Sequence, residues 1–111
     1  MKTTARPAHV EVSSEQHDRT VAVLSGEIVV RTAPEVRRAL HMIIDSSPSS
    51  IVFDLSGVSE IDVAGLAAIT AAAVRARRAS IEFTIVPPTA PAPRQLVARV
   101  GVVPILNRVG R

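Results

Sequence analysis

Apolar and polar positions alternate in some stretches of this 111-residue chain and recur at helical spacing in others. Residues 1–8 are polar with Pro7 and are expected to form a flexible N-terminus. His9-Val10-Glu11-Val12-Ser13 alternates, which predicts a short, half-exposed strand, and Ser14 to Asp18 reads as a turn. Thr20 to Leu24 is continuously apolar or β-branched and predicts a buried strand closed by Ser25-Gly26. Ile51 to Leu55 and Ile81 to Val86 predict two more core strands.

Between these runs the period lengthens. Thr32 is placed to cap a helix, Pro34 suits its first turn, and Glu35 favours the positive end of the dipole. Val36, Leu40, Ile43 and Ile44 fall on one face, and Ser46 to Ser50 ends the helix. Ser56 to Ile61 reads as a connecting loop, and Asp62 as the cap of a second helix. That helix has a stripe of Leu66, Ile69, Thr70, Ala73 and Val74 and ends in Arg75, Arg77 and Arg78. Pro87 to Pro93 predicts a stiff extended loop. Arg94 to Val100 predicts a short helix with Leu96, Val97 and Val100 inward. Val102 to Leu106 predicts a final strand, confined to an edge by Pro104. Strands alternating with helices imply an α/β fold with a mixed, mostly parallel sheet of 4–5 strands, and residues 9–111 form a single domain.

Composition narrows the function. Phe53 and Phe83 are the only aromatics, so the core is aliphatic and no set of rings is free to stack on single-stranded bases. The net charge is +3, but it is unevenly spread. Residues 1–61 carry six basic and eight acidic groups, and residues 62–111 carry seven and two. The arginines of the second half suit a solvated helix end or an acidic protein partner, and no nucleic-acid motif accompanies them. The absence of cysteine removes disulfides, thiolate zinc sites and a thiol nucleophile. No apolar run reaches the ~20 residues of a membrane span, and no signal peptide opens the chain, so a cytoplasmic location without direct membrane contact is expected.

Enzyme chemistry finds little support. His9, His17 and His41 read as surface residues, since none has a partner at metal spacing. Ser25-Gly26-Glu27 lacks the glycines and lysine of a phosphate loop, and no nucleophile elbow occurs. Asp54 and Asp62 are candidates for a carboxylate pair. Asp54 reads instead as ending a strand by accepting loop N–H bonds, and Asp62 as a cap. No catalytic activity, cofactor or metal is expected.

The stretch from Asp54 to Leu66 is the most informative. A buried strand ends, a short loop turns, and Asp62-Val63-Ala64-Gly65 starts a helix, with Gly65 expected to leave the backbone open to approach. Together with Leu24-Ser25-Gly26-Glu27-Ile28 before Thr32-Ala33, and Gly101-Val102 with Ile105-Leu106, this resembles the STAS domain, specifically the bacterial anti-sigma factor antagonists. The likeness runs from about Thr20 to Leu106. It implies a STAS fold and partner switching: the antagonist binds an anti-sigma factor, typically a GHKL-type serine kinase, and a sigma factor is released. In many members the kinase phosphorylates the second serine of Asp-Ser-Ser-Gly, which breaks the complex.

This chain departs there. Val63 and Ala64 occupy the two serine positions, and Ala64 has no hydroxyl to accept phosphate. Val29 stands where relatives often have Asp. Many relatives also continue beyond the position of Arg111 into a last helix, whose absence is expected to leave apolar surface for a partner or a homodimer. The resemblance thus implies an antagonist acting by binding alone, through Glu27, Arg31, Ser59, Glu60, Asp62, Val63, Ala64, Gly65 and Leu66. Asp62 would cap and offer charge, Val63 and Leu66 would supply apolar contact, and Ala64-Gly65 would permit close approach. Ser59 is the best alternative phosphosite. The other role implied is a small STAS subunit of a membrane transporter or lipid-trafficking ATPase complex, where the same helix start packs on a nucleotide-binding subunit.

Overall fold

Hydrophobic residues make up nearly half the chain, and the buried ones gather into one core cluster. The computed structural model describes residues 7–14 and 19–100. The described elements run β1 (His9–Ser14), β2 (Arg19–Ile28), α1 (Ala33–Asp45), β3 (Ser50–Ile61), α2 (Val63–Arg78), β4 (Glu82–Val86) and α3 (Pro91–Val100). The strands form one sheet in the order β1-β2-β3-β4. β1 lies antiparallel to β2, whereas β2–β3 and β3–β4 are parallel. The expected mixed, mostly parallel sheet is therefore present. The expected turn at 15–18 and the strand Val102–Leu106 lie outside the described residues.

Two strands run further than the sequence predicts. β2 does not close at Ser25-Gly26, and residues 56–61 are strand rather than loop. Ser25 pairs with Gly57, Gly26 with Val58, Glu27 with Glu60 and Ile28 with Ile61. The register shifts twice, between Val23 and Ser25 and between Gly26 and Glu27, each time with one extra residue in β3. These bulges explain why Leu55, Val58 and Ile61 are buried at intervals of three rather than two. A broken alternation looks like a loop in the sequence. Gly26 sits at the second shift with φ +83°, a conformation that glycine adopts without steric cost.

α1 buries Val36, Leu40, Ile43 and Ile44, the face its spacing predicts. Thr32 stands at the cap position, but its side chain makes no capping bond. Its hydroxyl donates to the Glu27 carbonyl at 2.8 Å and accepts from the Val29 N–H at 3.0 Å, closing the β2–α1 loop. α2 is rotated from the predicted stripe. It buries Gly65, Leu66, Ala68, Ile69, Ala72, Ala73 and Ala76, while Thr70 is half-buried and Val74 exposed. Small side chains let a helix approach the sheet and α1 closely, so the alanine face goes inward. α3 starts at Pro91, inside the expected loop, because a proline in the first turn sacrifices no intrahelical hydrogen bond. Thr89 Oγ1 donates to the Ser56 carbonyl at 3.1 Å and ties this segment to β3.

The core is aliphatic except for Phe53 and Phe83, whose rings stack with centroids 6.2 Å apart. No polar or charged residue is buried among the described residues. No helix among them is long and apolar enough to cross a membrane, and no group of three or more metal-ligating residues is clustered there.

Candidate functional site

The C-terminal ends of two parallel strands carry the loops that lead into α1 and α2, and Asp62 joins these loops. Its backbone is extended (φ −117°, ψ −174°), the geometry of an N-cap. Oδ1 accepts from the Gly65 N–H at 2.8 Å, and Oδ2 accepts from the Val30 N–H at 3.0 Å. The Asp62 N–H donates to the Ile28 carbonyl at 3.3 Å. One residue thus starts α2, continues the β2–β3 ladder, and holds the β2–α1 loop beside the helix start. Both carboxylate oxygens are engaged internally, so Asp62 is a clasp as well as the predicted cap.

Gly65 is buried, and a Cβ there would collide with the Ile28 carbonyl. The close approach that glycine permits is therefore made by the chain's own β2, which corrects the expectation of an open backbone. Leu66 is 3% exposed and belongs to the core, so it is not a surface contact either. Helical geometry accounts for both: positions 65 and 66 point at the sheet when the clasp sets the first turn.

Val63 is the opposite case. It is 72% exposed, and Val30, held by the clasp, is 65% exposed. Ala64 is half-buried on the rim of a groove of about 370 Å³ between the starts of α1 and α2, lined also by Val30, Ala33, Pro34, Arg37 and Ala67. Around it, Arg31, Ser59 and Glu60 are exposed and Glu27 is half-buried. Glu27 and Glu60 are register partners, which places two carboxylates side by side on neighbouring strands. Such a like-charged pair is locally unfavourable and offers negative charge to a cationic partner. Ser59 is the residue skipped by the second bulge, so it faces solvent without a strand partner.

Asp54 does not end its strand, because β3 continues past it. It is half-buried, and its Oδ1 accepts from the Ser56 N–H at 3.0 Å, inside the first bulge. Asp54 and Asp62 are each held by nearby backbone and form no paired acid–base unit. Sequence reasoning missed Val30, because the apolar run Ile28-Val29-Val30 does not show which of its side chains is left outside. Only the bond from residue 30 to residue 62 places it beside Val63.

Of the histidines, His9 is exposed and His17 lies outside the described residues. His41 is not a plain surface residue. Its Nε2 is shut away from solvent without a hydrogen-bond partner, and burial, then Arg75 and Arg37, lower its pKa below 6.5.

A model of the STAS domain matches residues 11–110. No curated protein matches the chain. Among solved structures, it resembles an anti-sigma factor antagonist from Mycobacterium paratuberculosis, with 26% identity and a TM-score of 0.75 over 86% of this chain and 79% of that one. It also resembles the anti-sigma factor antagonist SpoIIAA in its unphosphorylated form (16% identity, TM-score 0.71, 86% and 84% covered). The Bacillus cell fate determinant SpoIIAA in the phosphorylated form is similar as well (16% identity, TM-score 0.64, 86% of each chain). The last two likenesses concern the fold alone.

Proposed function

The chain belongs to the STAS domain family, and from that premise we propose that it is an anti-sigma factor antagonist acting by binding alone. The observation that carries this reading is the clasped surface. Asp62 holds Val30 on a groove that Ala64 also lines, and its chain neighbour Val63 stands at the start of α2; both valines are mostly exposed. Apolar side chains displayed by a fixed backbone can bind a protein without first being ordered, so less of the binding energy is lost to entropy. The likeness to the mycobacterial antagonist supports the partner class. The partner is an anti-sigma factor of the GHKL kinase-like type. Its contacts are Val30, Val63 and Ala64, with Glu27, Arg31, Ser59 and Glu60 at the rim. Asp62, Gly65 and Leu66 shape this surface from below.

Ala64 cannot be phosphorylated, so the antagonist is constitutively competent. Calorimetric titration against each kinase-like anti-sigma factor of the source cell tests the proposal, using the wild type and Ala64→Glu. A carboxylate in the first turn of α2 is favourable to the helix, so the variant folds. We expect one factor to bind the wild type and the variant to bind at least about tenfold more weakly, because a charge is then desolvated in the groove. Equal binding of both chains to every factor would sink the assignment. Incubation of the complex with ATP leaves the antagonist unmodified, and phosphate appearing on Ser59 would overturn constitutive action.

A further inference from the structure

Toward the other end of the helix pair, residues of α1 and α2 line a second cleft of about 740 Å³. Arg37 and His41 of α1 and Arg75 and Arg78 of α2 line it, over an apolar floor that includes Ile44 and Val74. Asp45 is the only carboxylate lining it, and that group is already committed. Arg75 donates to Asp45 through Nε at 3.0 Å and through Nη2 at 2.9 and 3.1 Å. Arg37 and Arg78 are left without a carboxylate in the cleft.

Helix electrostatics account for part of this charge. Arg75 and Arg78 lie in the last turn of α2, where the dipole favours cations. Arg37 lies in the N-terminal half of α1, where the dipole offers a cation no advantage, yet it faces the arginines of α2. Burial first, and then Arg75 and Arg37, disfavour the charged form of His41, while Asp45 favours it. Guanidinium groups gathered around an open cleft match the planar oxygen edges of an oxyanion.

We propose that this cleft binds a phosphate-type oxyanion, held by Arg37 and Arg78 with Arg75 shared between the ligand and Asp45. The volume exceeds that of a free ion, and the apolar floor suits the organic body of a phosphomonoester. The cleft shares Arg37 with the groove beside Val30, but the proposal does not rest on the role given to that groove.

NMR titration of the whole chain tests this, using inorganic phosphate and adenosine monophosphate as separate probes, with chloride at matched ionic strength as the control. Expected are saturable shifts at Arg37, His41, Arg75 and Arg78 and a His41 titration moved to higher pH by the ligand. Arg37→Gln/Arg78→Gln should weaken binding at least about tenfold. Both replaced side chains are exposed, and the spectrum itself reports that the variant is folded. A tighter response to the monophosphate assigns a phosphomonoester, and a tighter response to phosphate assigns the free ion. The proposal is overturned by silence with both probes, by equal shifts with chloride, or by binding that the double variant leaves unchanged.

Discussion

Asp62 shows how one side chain can be both a local and a long-range device. As a cap it satisfies one free N–H of α2, and as a clasp it satisfies another thirty-two residues away in sequence. Truncating it leaves both donors to water and releases the β2–α1 loop. Asp62→Ala should therefore cost about 1–3 kcal/mol, read from urea denaturation, and should weaken partner binding through Val30 as well. A loss of stability with unchanged affinity would separate the clasp from the surface it is argued to organise. Gly65 is the second residue of this kind. The Asp-x-x-Gly spacing was visible in the sequence, but the spacing alone does not tell whether a missing Cβ makes room for a partner or for the chain's own Ile28 carbonyl.

At the scale of the element, the two bulges in β3 and the rotation of α2 matter most. The bulges lengthen β3 by one residue twice, so that Val58 and Ile61 stay on the buried side while Ser59 turns outward. Without them, a strict alternation after Leu55 would have carried Val58 to the other face. The rotation of α2 makes a testable distinction between neighbouring positions. Ala72 is fully buried and Val74 is 40% exposed. Ala72→Leu should overpack the helix–sheet interface and cost about 1–3 kcal/mol, whereas Val74→Lys should stay within about 0.5 kcal/mol of the wild type. Denaturation midpoints in the reverse order would mean that the stripe read from the sequence was the true one.

For the molecule as a whole, the two faces of interest lie toward opposite ends of the α1–α2 pair and meet at Arg37, one apolar with acidic neighbours and one basic. His41 couples the basic end to global stability. Its pKa is lowered in the folded chain, so near and below pH 6.5 the unfolded chain takes up a proton that the fold resists. Its contribution is complete above that unfolded value and is lost as pH falls through the folded pKa. The groups facing it are Arg37 and Asp45 on its own helix and Arg75 on α2. Urea midpoints measured from about pH 7.5 down to about 5.5 should fall more for the wild type than for His41→Gln, which cannot titrate. Parallel slopes would show that His41 does not report on the fold.

The sequence by itself determined the class of fold, the faces of α1, the apolar strands and the cap at Asp62. These rest on short-range periodicity and on residue types whose local preferences agree with the final structure. It also marked the β2–α1 turn and the start of α2 as the place of interest, because the Asp-x-x-Gly pattern and the missing serine are local facts. Tertiary structure alone decided which of those residues face outward. Gly65 and Leu66 went inward, Val63 stayed out, and Val30 was brought beside it by a bond across thirty-two residues. The same is true of the bulged strand ends, the alanine face of α2 and the arginines gathered from two helices. The physical reason is common to all of them. Burial and register depend on what lies opposite, and a partner distant in sequence leaves no mark on the local pattern.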